Sequence, residues 1–173
     1  MGIALVRGIF DGALLQQKGE NLMKSILFVC LGNICRSPLA DGIANKIARE
    51  KGLELYCDSA GTSAFHKGEP PCENSQKVAK KYGIDISGLK SRPIVPKDLE
   101  EFDIVIAMDE QNKKDLLSYG FKNVYKLGEF GGLENTDIPD PYYYRGFKGF
   151  EIVYEMIEKG VKDLIEKITS NKI

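Results

Sequence analysis

Cys30 and Arg36 bracket the run Cys30-Leu31-Gly32-Asn33-Ile34-Cys35-Arg36-Ser37-Pro38. A thiolate attacks phosphorus without needing a separate base, and a guanidinium can grip two phosphate oxygens at once. The residues between them suit a loop that wraps an anion. Gly32 and Asn33 tolerate the left-handed backbone angles of a tight nest of amide hydrogens. Pro38 fits the first turn of a helix, where its missing N–H is no loss. A turn from strand to helix aims backbone N–H groups and the positive end of a helix dipole at one point, and a cysteine there favours thiolate over thiol. No lysine stands where a nucleotide-binding Gly-x-x-x-x-Gly-Lys-Ser/Thr loop needs one. The chemistry indicated is covalent transfer to sulfur.

A cysteine that ends a buried strand is by itself more often a small hydrophobe, and the Cys-x5-Arg spacing alone is a weak signal. The Gly-Asn turn, the Ser-Pro helix start and the apolar strand before them make it specific. Expulsion of a phenolate from an aryl phosphate also needs a proton, and a positioned acid is worth about 10²–10⁴ in rate. That donor must face the nucleophile across phosphorus, so it belongs on another loop. Asp137-Ile138-Pro139-Asp140-Pro141-Tyr142-Tyr143-Tyr144 offers two acids, Asp137 and Asp140. Taken alone the segment reads equally as a Pro-rich turn with an Asx cap.

The elements that must hold these groups alternate along the chain. Ile26-Leu27-Phe28-Val29 is continuously apolar, as in a strand buried on both faces of a parallel sheet. Leu39, Ile43 and Ile47 recur four apart and predict a helix that Gly52 ends. Residues 54–59 read as a second strand, 73–82 as a helix stopped by Gly83, and 104–107 as a buried strand. A helix over 110–119 and a short strand over 124–127 follow. A long loop, 128–146, leads to a last helix with Phe150, Val153, Ile157, Val161, Leu164 and Ile168 on one face. The expected fold is therefore α/β, a single-domain three-layer sandwich with a four-stranded parallel sheet and helices on both faces. The phosphate-binding loop lies between its first strand and first helix, at the carboxyl ends of the strands where such sheets bind ligands.

Length and composition fit one globular domain. The chain has 173 residues, 43% hydrophobic and 28% charged, with a net charge of −1, so nothing in the overall charge attracts nucleic acid or an anionic membrane. Residues 1–22 do not connect to the pattern, and strong structure begins just after Met23. The expected division is an N-terminal extension, 1–22, ahead of a domain over 23–173. Residues 1–23 lack the features of a signal peptide, and a reducing cytoplasmic setting predicts free thiols at Cys30, Cys35, Cys57 and Cys72 except where chemistry uses them. With His66 the only histidine, and with these cysteine spacings, no zinc site is expected.

The run Phe28 to Pro38 resembles the signature of the low-molecular-weight protein tyrosine phosphatases. The resemblance continues through Asp58-Ser59-Ala60-Gly61-Thr62-Ser63, Gly68-Glu69-Pro70-Pro71, Met108-Asp109 and Asp140-Pro141-Tyr142-Tyr143, over nearly all of residues 24–170. It implies hydrolysis of phosphotyrosine in proteins through a cysteinyl-phosphate, with inorganic phosphate as product and no metal or cofactor. Cys30 would be the nucleophile, Arg36 the clamp and Asp140 the general acid, with Asp137 the fallback. Leu31, Gly32, Asn33, Ile34, Cys35 and Ser37 would form the phosphate cradle. Phe65, Tyr142 and Tyr143 would line the cleft. Ser37 would stabilise the thiolate or cap the helix, Asp109 would brace the cradle, and His66 would be scaffold.

Two relatives of that scaffold stay as alternatives. Protein-arginine phosphatases usually carry threonine where this chain has Ile34. Arsenate reductases need a cysteine relay, and residues 84–100 contain no cysteine. A protective disulfide between Cys30 and Cys35 is also expected, since a low-pKa cysteine oxidises readily and a nearby thiol traps the product.

Overall fold

The computed structural model describes residues 24–173; the expected 1–22 extension and the Met23 start lie outside the described residues. Four strands, β1 (Lys24–Cys30), β2 (Leu55–Gly61), β3 (Ile104–Ala107) and β4 (Val124–Lys126), form one parallel sheet in the order β2-β1-β3-β4. The helices are α1 (Arg36–Lys51), α2 (Glu73–Lys81), α3 (Asp98–Glu101), α4 (Glu110–Tyr119) and α5 (Lys148–Thr169). This is the expected three-layer α/β architecture.

Side chains alternate across a strand, and that explains why β1 reads as unbroken apolar sequence. Ile26 and Phe28 join Ile104 and Ile106 beneath α1, α2 and α5. Leu27 and Val29 join Val105 and Ala107 on the opposite face, against Leu116 of α4. Both faces are covered over residues 26–29, and those four positions are all apolar, whereas the buried Ser25 at the strand's start is satisfied by Glu101 O and Asp103. The stripe from Phe150 to Ile168 on α5 is buried throughout. Burying each such side chain contributes roughly 1.5–3 kcal/mol.

From β1 the chain crosses to β2 on one side and later returns to β3 on the other. The strand order therefore reverses at β1, and a crevice opens above the carboxyl ends of β1 and β3. The loop after β1 and the Met108-Asp109 turn after β3 meet there.

Three departures from the sequence pattern have local causes. β2 runs on to Gly61, because Gly61 donates its N–H to Arg92 O and accepts from Ile94 N–H, an extra pairing that a local pattern does not reveal. α3 arises where Asp98 accepts from Val95 N–H and from Arg92, which closes a short turn. The segment 128–146 is not structureless. A 3₁₀ turn at Leu127–Glu129 leads into it and another, Pro141–Tyr143, lies within it.

α1 also buries a carboxyl outside the crevice. Asp41 accepts from Asn45 Nδ2 at 2.6 Å and from Ser59 Oγ at 2.9 Å. Burial, reinforced by the nearby Asp58 charge, pushes its pKa up to about 7. The folded protein then holds a proton that the unfolded chain releases between about pH 4 and 7, so this group makes stability fall as pH rises through that window. Asparagine can accept from Asn45 through its one amide oxygen and donate to Ser59 Oγ through its NH2, and it cannot ionise. Urea unfolding of Asp41→Asn should show a shallower fall from about pH 4.5 to about pH 7.5 than the wild type. Parallel profiles would exclude Asp41 as the source.

Candidate active site

Cys30 is the last residue of β1, and the chain turns at once into α1. Asn33 makes the turn possible by adopting a left-handed backbone with φ 53°. Gly32 does not use that region; a side chain there would press on the His66 ring, 3.0 Å from its Cδ2. Gly61 is needed for the same kind of reason, since a Cβ would stand 2.7 Å from Leu31 O.

Five carbonyls at the loop are held by donors outside it. Cys30 O accepts from Thr62 N, Leu31 O from Ser63 N, and Ile34 O from Cys72 N. Gly32 O accepts from Ser91 Oγ at 2.8 Å and Cys35 O from Ser75 Oγ at 2.9 Å. The N–H groups of Leu31 to Cys35 find no acceptor among the described residues. A peptide plane that fixes its oxygen outward points its hydrogen inward, so the result is an anion nest.

A proton-ordered chain sits behind the sulfur. Asn33 Oδ1 accepts from Arg92 N–H at 3.0 Å, which makes Nδ2 the donor to Ser37 Oγ at 2.8 Å. Ser37 has one hydrogen, and its oxygen already accepts. That hydrogen is therefore available to Cys30 Sγ, 3.1 Å away. Ser37 is not the helix cap; Cys35 holds that position, and Ser37 lies inside the first turn of α1.

Arg36 is 9% exposed. Its Nη1 donates to Asp109 Oδ2 at 2.7 Å and to Ile138 O at 3.0 Å. The second oxygen of Asp109 caps α4 by accepting from Asn112 N–H. Asp109 thus braces the arginine from the N-cap of α4, just past the end of β3. Fixing one end of the guanidinium leaves Nε and Nη2 to the pocket that Arg36 lines.

That pocket, of about 390 Å³, brings Cys30, Arg36 and Asp140 together, with Phe65, His66 and Tyr142 at its walls. Asp140 precedes the Pro141–Tyr143 turn and accepts from Tyr142 N–H at 2.9 Å. The fallback acid Asp137 is engaged elsewhere, with Lys126 Nζ at 2.8 Å and Glu110 N at 3.1 Å, and is not a lining residue. Leu31, Gly32, Ile34 and Cys35 line the pocket as well, whereas Asn33 and Ser37 do not. Tyr143, 81% exposed, packs edge-on against Tyr144 and is not brought to it.

The cysteines depart from expectation. Cys35 is disulfide-bonded to Cys72, not to Cys30, and only Cys30 and Cys57 are free thiols. Cys72 lies 37 residues away in sequence, yet its N–H bond to Ile34 O holds it against the loop. Burial pushes the Cys57 thiol up to about 12, which keeps it protonated.

Sequence reasoning missed the outer ring: Ser75, Ser91 and Arg92. Arg92 is fixed by a fork on Asp58 and Asp98, which raises its pKa, opposed by its partial burial. Its backbone N–H then reaches Asn33. The only local hint was an arginine directly before the apolar Pro93-Ile94-Val95.

A family model described as low molecular weight phosphotyrosine protein phosphatase matches residues 25–173. The Bacillus subtilis (strain 168) protein named low molecular weight protein-tyrosine-phosphatase YfkJ is 41% identical over 157 residues, 87% of this chain and 99% of that protein. A protein tyrosine phosphatase from Entamoeba histolytica, crystallised with Hepes in its active site, superposes with a TM-score of 0.80 at 37% identity, over 87% of this chain and 99% of that one. A drosophila arginine phosphatase superposes with a TM-score of 0.78 at 30% identity, over 83% and 96%. Sequence match and fold agree: this chain belongs to the low molecular weight phosphotyrosine protein phosphatase family.

Proposed function

We propose that this chain hydrolyses phosphotyrosine in proteins, with residues 23–173 as the catalytic domain. The observation that carries the reading is one pocket lined by Cys30, Arg36 and Asp140 above a nest of unengaged amide hydrogens. The phosphoryl group sits in the nest, with its charge met by those amides and by the free edge of Arg36. Cys30 Sγ attacks phosphorus as Asp140 protonates the departing phenolate. The cysteinyl-phosphate is then hydrolysed by a water that the same carboxylate activates, releasing inorganic phosphate. Ser37 steadies the sulfur when it is the leaving group. Phe65 and Tyr142 offer apolar walls to an aromatic ring.

The arginine phosphatase among the structural relatives makes phosphoarginine the alternative to exclude. Ile34 favours the aryl substrate, because its side chain lines the pocket without a hydroxyl to bond a guanidine nitrogen. A peptide panel bearing phosphotyrosine, phosphoarginine or phosphoserine tests this. Phosphotyrosine should be turned over at least about 10-fold faster by kcat/KM than either of the others. A preference for phosphoarginine would replace the substrate and leave the mechanism of transfer to sulfur intact. No helix among the described residues is long and apolar enough to cross a membrane, and a cytoplasmic pool of phosphoproteins is the proposed setting.

A further inference from the structure

Three of the four cysteines meet at the phosphate loop. Cys30 and Cys35 line the pocket, and Cys72 is joined to Cys35 from outside it. We propose that Cys72 is the terminal thiol of an oxidation relay, in which a hydroperoxide oxidises Cys30, Cys35 resolves it, and Cys72 takes over the disulfide and returns Cys30 as a free thiolate. The relay rests on the phosphatase reading at one point, that Cys30 is the reactive thiol of the loop.

The backbone holds Cys35 and Cys72 in pairing range apart from the bond itself. Cys72 N–H donates to Ile34 O at 2.8 Å, and Ser75 Oγ donates to Cys35 O at 2.9 Å. These bonds pin the start of α2 onto the residues around Cys35. The two Cα atoms are 5.5 Å apart, inside the range a disulfide accepts without backbone movement. Each cysteine is also the N-cap of a helix, Cys35 of α1 and Cys72 of α2. The helix dipole there stabilises the attacking thiolates. Cys57, buried in β2 and kept protonated, takes no part.

The atoms balance without a further reagent. Cys30 thiolate attacks the peroxide O–O bond, becomes a sulfenic acid and releases hydroxide. Cys35 thiolate attacks that sulfur and expels its oxygen as water, forming Cys30–Cys35. Cys72 thiolate then attacks Cys35 Sγ, which breaks that bond and expels Cys30 as thiolate. In sum, one hydrogen peroxide and two thiols give two waters and one disulfide, stored on Cys35–Cys72. The bonding found here, Cys30 free and Cys35–Cys72 joined, is that end state. An enzyme with only the first two thiols would stop at Cys30–Cys35 with its nucleophile blocked.

The test treats fully reduced wild type with one equivalent of hydrogen peroxide, alkylates samples over time and maps tryptic peptides. Cleavage after Lys24 and Arg36 puts Cys30 and Cys35 on one peptide; cleavage after Lys67 and Lys77 puts Cys72 on another. A loop peptide short of two hydrogens should form first. It should give way to a Cys35–Cys72 cross-link with Cys30 alkylated. Phosphotyrosine turnover should fall and then recover to above about half with no added reductant, while Cys72→Ser stays below about one-tenth until a dithiol is supplied. Equal recovery by Cys72→Ser, or a Cys35–Cys72 cross-link forming as fast in Cys30→Ser as in wild type, would overturn the relay. The mapping requires no turnover. A wild type that forms the links in order yet hydrolyses no phosphotyrosine would uphold the relay and sink the phosphatase reading alone.

Discussion

Cys30→Ser should lose more than about 10⁴-fold in kcat on phosphotyrosine while inorganic phosphate still binds. The two halves of that result come from different parts of the site. In the proposed mechanism binding rests on the loop's backbone amides, and the carbonyls of Cys30, Leu31, Gly32, Ile34 and Cys35 are held outward by Thr62, Ser63, Ser91, Cys72 and Ser75. None of those bonds involves the Cys30 side chain. Chemistry depends on an ionised nucleophile. The Ser37 hydroxyl and the nest can favour a thiolate, but a serine hydroxyl lies far above any pH at which they could ionise it. Stopped-flow assay gives the turnover, and calorimetric titration with phosphate gives the affinity. Substantial turnover by the serine variant would show that the sulfur is not the nucleophile. Loss of phosphate binding together with turnover would show that the side chain shapes the cup, and the separation drawn here would fail.

The parts of this molecule that were legible in sequence are those where burial forces a pattern. β1 is covered on both faces over residues 26–29, and that run is apolar without a break. α5 is covered on one, so its apolar residues fall three and four apart. The loop between β1 and α1 was legible because Asn33 tolerates the left-handed backbone it adopts and Arg36 stands at the spacing expected of an anion clamp. What surrounds the loop was not legible. Arg92 reaches Asn33 across 59 positions, and Cys72 reaches Cys35 across 37. Such contacts leave no periodic trace, because a single donor at one place suffices. The same holds for the segment 128–146, where Gly128 is required because a Cβ would collide with the Thr136 carbonyl. Cys35 shows the cost of local reasoning. Its nearest thiol in sequence is Cys30, but its partner comes from another helix.

Replacing Asp140 tests the half of the mechanism that the leaving group controls. Asp140→Ala should lower kcat by about 10²–10⁴ for phenols of high pKa, and by much less for activated phenols that depart without a proton. Alanine alone is ambiguous here. The Asp140 carboxylate accepts from Tyr142 N–H and caps the Pro141–Tyr143 turn. Losing such a cap typically costs about 0.5–2 kcal/mol, and the turn carries Tyr142 into the pocket wall. A displaced wall would slow every substrate alike. Asp140→Asn separates the two effects, because its amide oxygen can keep the cap while neither atom of the amide can deliver the proton. If Asp140 is the acid, both variants should show the same steep dependence on leaving-group pKa, and Asn should match Ala on high-pKa phenols to within about 3-fold. If the residue serves the turn, Asn should retain near wild-type rates and Ala should lose rate uniformly. Asp137 supplies the internal control. It is held by Lys126 and Glu110 N–H away from the pocket, so Asp137→Asn should leave the leaving-group dependence unchanged.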